Sequence, residues 1–302
     1  MRAIVLPEYG PPSAFQVQTV PDPKAGANEI AVRVAGASIN PIDWKQRSGA
    51  LRQYFPLKLP AILGRDVAGT VSAVGQGVTA FAVGDRVLGR VPGGGYAEIA
   101  VGPVAGWARV PEKMDLAGAA ALPLVLLTGA QLAEEAADAG AGEVILVTGA
   151  TGSVGRVAVF AAKARGAKVW AGVRGKHRAE AAKLGVDGVV ALEDDAEIAR
   201  LPTLDGIANT VFGDAIQKVL GKLKPGGKIG SAAGEPAGAK ERGFAVKAIL
   251  THDDAKRLGE LAQAVADGKL AVPIAKRFPF AEVRAAHELA ESGAGGKVLL
   301  VP

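Results

Sequence analysis

The chain has no cysteine in its 302 residues, only three histidines (His177, His252 and His287), and just 5% aromatic residues. Without cysteine there can be no disulfide and no thiolate metal site. Three histidines far apart in sequence argue against a zinc centre built on imidazole alone. No uninterrupted apolar run approaches the roughly 20 residues of a membrane-crossing helix. The opening MRAIVLPEYG, with one arginine and a short apolar run before Pro7, does not read as a secretion signal. The expectation is a cytoplasmic protein with no membrane partner. Net charge is +5, but acidic residues are interspersed among the basic ones. That distribution suits a solvated surface with a pocket for an anionic ligand, and it makes nucleic acid an unexpected partner.

What is present is length, a hydrophobic content of 49% and an orderly change of pattern along the chain. The length predicts two domains with full-sized cores. Residues 1–110 read as strands and turns (RAIVLP, FQVQTV, EIAVRVAGASI, GRDVAGTVSAVGQGV, GDRVLG, GGYAEIAV), with one short helix at NPIDWKQRSG. This is the pattern of an irregular β-barrel. From about Leu116 the chain turns helical and Ala-rich, interrupted by Pro123, and then alternates strand and helix from EVILVTG onward. Strands separated by such helices imply a parallel, doubly wound sheet. The helix DDAKRLGELAQAVADGKL is expected to close that block, and the tail ending in GGKVLLVP to return to the first domain. The predicted boundaries are 1–122 with 268–302 for the β-rich domain and 123–267 for the doubly wound one.

The most informative stretch is EVILVTGATGSVGRVAVFAAKARGAKVWAGVRGKHR, Glu143–Arg178. Its turn, Ala150-Thr151-Gly152-Ser153-Val154-Gly155, fits G-x-G-x-x-G with alanine in the first place. Gly152 would let the backbone approach a pyrophosphate, Gly155 would let the helix pack against the strand, and the helix start at Ser153 offers free N–H groups. A glycine motif alone is weak evidence, but this one lies between a buried strand and a helix inside a βαβ unit. An NAD site places an acid at the end of the second strand. Here the segment is Val-Arg-Gly-Lys-His-Arg, with Arg174, Lys176, His177 and Arg178, so the cofactor expected is NADP(H). Two forked, charge-assisted bonds to a 2′-phosphate, at about 1.5–3 kcal/mol each, would favour NADPH over NADH by on the order of 10²–10⁴.

With these motifs in order, the chain resembles the medium-chain dehydrogenase/reductase superfamily, and within it the zinc-independent quinone oxidoreductases of the zeta-crystallin-like branch. The resemblance runs the whole length through SINPIDWKQRSG, GRDVAGTVSAVGQGV, GDRV, GGYAEIA, LPLVLLTGAQ, LKPGGKIGSAAG and GGKVLLVP. It implies a GroES-like irregular β-barrel domain beside a Rossmann domain. Where zinc alcohol dehydrogenases carry Cys and Gly-His-Glu ligands, this chain has Ser-Ile-Asn-Pro-Ile-Asp and Gly-Arg-Asp. Asn40 thus lies near the cysteine position and Arg65 replaces the histidine, so no metal is expected.

The same resemblance puts Asn40 beside the nicotinamide and its ribose, and Thr128 against the diphosphate or ribose, a helix or turn cap being the alternative for both. It sets Asn209, Val211 and Phe212 along the nicotinamide ring, Ser231 and Ala232 at its carboxamide, Lys297 toward the cofactor, and Arg174, His177 and Arg178 around the 2′-phosphate. The implied reaction is hydride transfer to a quinone or an α,β-unsaturated carbonyl. Tyr54, Asp43 and Arg65 are the candidates for handling the proton or the developing oxyanion, each with an ordinary surface, capping or ion-pair role as the alternative. Trp44, Phe55 and Phe212 are candidate apolar pocket walls. A homodimer joined near FAVKAIL is expected. The other class left open is an NADPH-binding redox sensor or an RNA-binding moonlighting protein. Tyr54 and Lys58 also spell the Y-x-x-x-K pair of short-chain dehydrogenases, but Pro56 between them spoils the helix that pair needs.

Overall fold

A computed structural model describes all residues, Met1 to Pro302. The chain forms two compact units: Met1–Leu124 with Asp253–Pro302, and Val125–His252.

The first unit is built around the long strand Glu29–Ile39. Register shifts at Ala31/Val32 and Val34/Gly36 bend it, so that it pairs antiparallel with Asp66–Val74, Ile99–Pro103 and Lys297–Val301. Such shifts make an irregular, curved sheet out of strands rich in Val, Ile and Ala. The expected return of the tail is observed, since Lys297–Val301 joins the sheet and Ile274–Pro279 pairs parallel to it. Ile4, Ile30, Val32, Val87, Tyr96 and Trp107 are buried in one core. A second, three-stranded sheet brings Gln16–Thr19, Arg2–Leu6 and Ala61–Ile62 together.

The second unit is a six-stranded, all-parallel sheet. Its order is Gly188–Ala191, Lys168–Val173, Val144–Thr148, Leu204–Asn209, Leu223–Ser231, Ala245–Ala248. In chain order this is 3-2-1-4-5-6, the doubly wound arrangement, and the order reverses between Val144–Thr148 and Leu204–Asn209. Val157, Ala158, Ala161 and Ala162 form the buried face of the helix Ser153–Ala164, at the i, i+1, i+4, i+5 spacing of a stripe turned to a sheet.

Two expectations are corrected. The helix Ala255–Ala266, expected to close the parallel-sheet block, belongs to the first unit, so the second crossing falls at residues 252/253. Its Leu258, Leu261 and Ala262 are buried, and Gly259 faces the Ala108 methyl of Trp107–Arg109. Amphipathic spacing announces such a stripe but not the sheet it will cover. The helical span Leu116–Ala136 does reach the length and hydropathy of a membrane-crossing segment, contrary to the reading above. Of its most apolar window, 83% is buried inside the protein, as in a core helix.

Candidate functional site

In open parallel sheets ligands bind outside the carboxyl ends of the strands, where the strand order reverses. At that place the second unit carries its glycine loop. Gly149 takes φ +63°, and a Cβ there would strike Thr210 Oγ1 at 2.4 Å. The two loops flanking the reversal are therefore in contact, and only glycine fits between them. A Cβ on Gly155 would lie 2.1 Å from the Gly149 carbonyl oxygen, whereas one on Gly152 would meet that oxygen at 3.2 Å and nothing else. Gly155 thus seats the helix, and Gly152 leaves the loop's outer side open. The N–H groups of Ser153, Val154 and Gly155 have no carbonyl within their own helix. Ala150 is fully buried. Arg156 donates from Nε to the Thr151 carbonyl (2.9 Å) and pairs with Glu180, bracing the loop. Sequence reading did not single out Arg156, because one arginine in a first helical turn looks like a solvated residue.

Beside the loop, the ends of three strands are tied by one buried amide. Asn209 Oδ1 accepts from Thr148 Oγ1 (2.7 Å) and Val211 N (3.3 Å), and its Nδ2 donates to Val211 O (3.1 Å) and Ser231 Oγ (3.0 Å). Thr210 bonds back to Thr148 through N and Oγ1, and Ser231 Oγ also accepts from Ala233 N. Asn209 therefore holds the strand ends in place, and its amide is already committed. Val211 and Ala232 are half-buried beside it, while Phe212 is 66% exposed. The Thr128 hydroxyl, expected on a cofactor, pairs with the Thr251 hydroxyl at 2.7 Å.

At the end of Lys168–Val173 the basic cluster is less free than its sequence suggested. Arg178 pairs with Glu197, whose other oxygen accepts Ala191 N–H (2.9 Å). His177 Nδ1 lies 3.4 Å from Glu180. Glu193 Oε1 accepts the Gly175 N–H at 2.7 Å, a bond that holds its carboxyl below the usual range. The segment itself carries no acid, as its sequence shows, but Glu193 and Glu197 reach it from beyond the next strand. Arg174 is exposed, and its charge adds to what lowers the Glu193 carboxyl.

The first unit holds a separate buried cluster. Lys297 Nζ donates to Asn40 Oδ1 (2.5 Å) and Ile39 O (3.3 Å), and Asn40 Nδ2 donates to Asp66 Oδ2 (2.9 Å). An ammonium and a carboxylate are thus bridged by one amide. Asp66 Oδ1 accepts Leu124 N–H at 3.0 Å. Asn40 stands at the start of the helix Pro41–Arg47, and Asp43 Oδ2 accepts both its N–H (2.8 Å) and Tyr96 O–H (3.0 Å). Asp43 and Asp66 are fully buried, and Asp43 Oδ1 has no hydrogen-bond partner. Burial pushes the Asp43 carboxyl up to about 7, helped by the Asp66 charge and resisted by the Asn40 N–H, Tyr96 and Lys297. Burial likewise raises Asp66 and lowers Lys297, each opposing the other.

Of the residues expected to act on substrate, only Asp43 joins this cluster. Tyr54 is 75% exposed, and the tyrosine that meets Asp43 is Tyr96. The Tyr96 ring packs against Gly64, which has no room for a Cβ there, a contact that neither segment announces in the sequence. Arg65 lies outside the network, with its Nε buried and without a hydrogen-bond partner. Trp44 packs on the core and Phe55 is 39% exposed.

Comparisons with known proteins cover both units, and the second family match runs across the boundary at residues 252/253. Residues 26–112 match the alcohol dehydrogenase GroES-like domain family, and residues 184–300 match the zinc-binding dehydrogenase family. A chloroplast envelope quinone oxidoreductase homolog of Arabidopsis thaliana is 38% identical over 199 residues, which is 63% of this chain and 60% of that protein. This chain therefore spans less than two thirds of that relative's length in the match. A quinone oxidoreductase of Lama guanicoe is 30% identical across 100% of this chain and 97% of its own. The solved quinone oxidoreductase of Coxiella burnetii superposes with a TM-score of 0.89 at 29% identity, covering 100% of this chain and 99% of that one.

The family name raises zinc, and the donors present do not fit it. No three His, Cys, Asp or Glu side chains come close enough together to hold a metal. Asp66 is committed to Asn40 and Leu124, and His287 is buried between Phe15 and Tyr96 with Arg47 on its Nδ1.

Proposed function

We propose that this chain, which belongs to the medium-chain dehydrogenase/reductase superfamily, reduces quinones or α,β-unsaturated carbonyls with NADPH and without a metal. The observation that carries this reading is the glycine loop at the strand-order reversal, followed by an exposed Arg174 just beyond the second strand. When bound, a dihydronicotinamide supplies a hydride, so the protein's task is orientation and exclusion of water.

The residues fit that task. Ser153, Val154 and Gly155 offer N–H groups to a diphosphate, and Gly152 keeps the approach clear. Thr148, Asn209 and Ser231 lock the strand ends, so Val211 and Ala232 present fixed backbone to the ring and its carboxamide. Arg174 supplies a cation for a 2′-phosphate. Asn40, clamped between Lys297 and Asp66, has a single orientation, and Asp43 retains a proton near neutrality. With no site to polarise an alcohol by Lewis acidity, an electron-poor acceptor is the substrate class that suits these groups. A homodimer through Ala245–Ala248 belongs to the same reading; this strand ends the sheet, and Leu250 beyond it is 78% exposed.

An enone offers the direct test. NADPH carrying deuterium at both C4 positions should deliver one label to the β-carbon of the saturated product, read by mass spectrometry or NMR. NADPH consumption with an unlabelled β-carbon would refute hydride transfer to that carbon.

A further inference from the structure

We infer that Glu193 opposes the 2′-phosphate at this site, so that the choice between NADPH and NADH is a contest of Arg174 against Glu193 and not the work of two arginines. The inference rests on the NADPH reading above and refines it.

Three observations lead to it. First, Arg178 is already spent. Its guanidinium holds Glu197, which in turn holds the Ala191 N–H, so the three brace the end of Gly188–Ala191 against the helix Asp195–Ala199. Turning Arg178 to a ligand would break that brace. Second, Glu193 comes from the following strand's end, yet its Oε1 bonds to the N–H of Gly175, the residue directly after Arg174. A carboxylate therefore sits on the very turn from which Arg174 must reach. Third, that N–H, a natural donor to a phosphate oxygen, is occupied by the carboxylate.

A 2′-phosphate brings close to two negative charges at neutral pH, while the NADH ribose brings only hydroxyls. A nearby carboxylate repels the first and can accept a hydrogen bond from the second. Glu193 thus weakens NADPH without a matching cost to NADH. The ratio of affinities should fall well below what an arginine pair would produce.

Glu193→Gln isolates the charge, because the amide oxygen can still accept the Gly175 N–H. In fluorescence or calorimetric titrations at low salt, NADPH should bind the variant about tenfold more tightly, the order expected of one exposed charge contact. The NADH Kd should stay within about twofold or weaken slightly, and the NADPH gain should shrink as salt screens the contact. Arg174→Ala should shift the ratio the other way by about tenfold. If Glu193→Gln leaves the ratio unchanged while Arg174→Ala lowers it, the inference is overturned and the NADPH reading survives. If neither variant moves the ratio, the 2′-phosphate reading falls and this inference with it.

Discussion

Lys297→Met is expected to lower the unfolding free energy by about 1–3 kcal/mol at neutral pH, the cost of leaving the buried Asn40 oxygen without its donor and the buried Asp66 without the nearby ammonium. Lys297 is 6% exposed and Asp66 is fully buried, so solvent cannot replace the lost ammonium. Methionine keeps the length of the stem, which confines the change to the charge and its bonds to Asn40 and Ile39. The pH dependence gives a second reading of the same event. A buried carboxyl whose pKa is raised in the folded state favours folding below its unfolded pKa and loses that advantage as pH rises. Without Lys297 the Asp66 carboxyl shifts further upward. The variant's deficit should therefore be largest at alkaline pH and smaller near ~pH 5, where protonation relieves Asp66. Urea unfolding at both pH values checks this, and a deficit below about 1 kcal/mol at neutral pH would mean that the pair is solvated.

Gly155→Ala is expected to remove nucleotide binding and to destabilise the parallel-sheet unit by about 2–4 kcal/mol, the range of a severe overpacking. The added Cβ meets the Gly149 oxygen at 2.1 Å and Ala150 Cα at 2.8 Å, both backbone, so the helix Ser153–Ala164 must move off its strand. Gly152→Ala provides the contrast. Its Cβ has one neighbour, at 3.2 Å, so folding should be nearly untouched while the methyl stands where a pyrophosphate would approach. NADPH affinity in Gly152→Ala should fall by at least about tenfold with the midpoint of thermal unfolding little changed. Equal nucleotide affinity in Gly152→Ala and the parent protein would show that this loop does not hold a diphosphate.

The features legible in the sequence were those written locally. The βαβ pattern and its glycine turn lie within 36 consecutive residues, and each position has a steric reason visible in the residue type. The β-rich first half and the returning tail could likewise be read from strand patterns and Gly/Pro punctuation. Partnerships across distance were not legible. Lys297 meets Asn40 across 257 positions and Tyr96 meets Asp43 across 53, and nothing in either segment names the other. The motifs around Thr128 and Arg178 likewise give no sign of Thr251 and Glu197, the partners each has in the fold. Tyr54 illustrates the same point in reverse. Its position near a family tyrosine suggested chemistry, but burial singles out Tyr96.

Metal-free reduction by NADPH is tested most directly by following NADPH absorbance with a small panel of quinones, enones and alcohols, with and without a strong chelator. NADPH should be oxidised by at least one quinone or enone at a rate indifferent to the chelator, and alcohols should not reduce NADP⁺. Turnover with alcohols and NADP⁺ alone, abolished by the chelator, would contradict it.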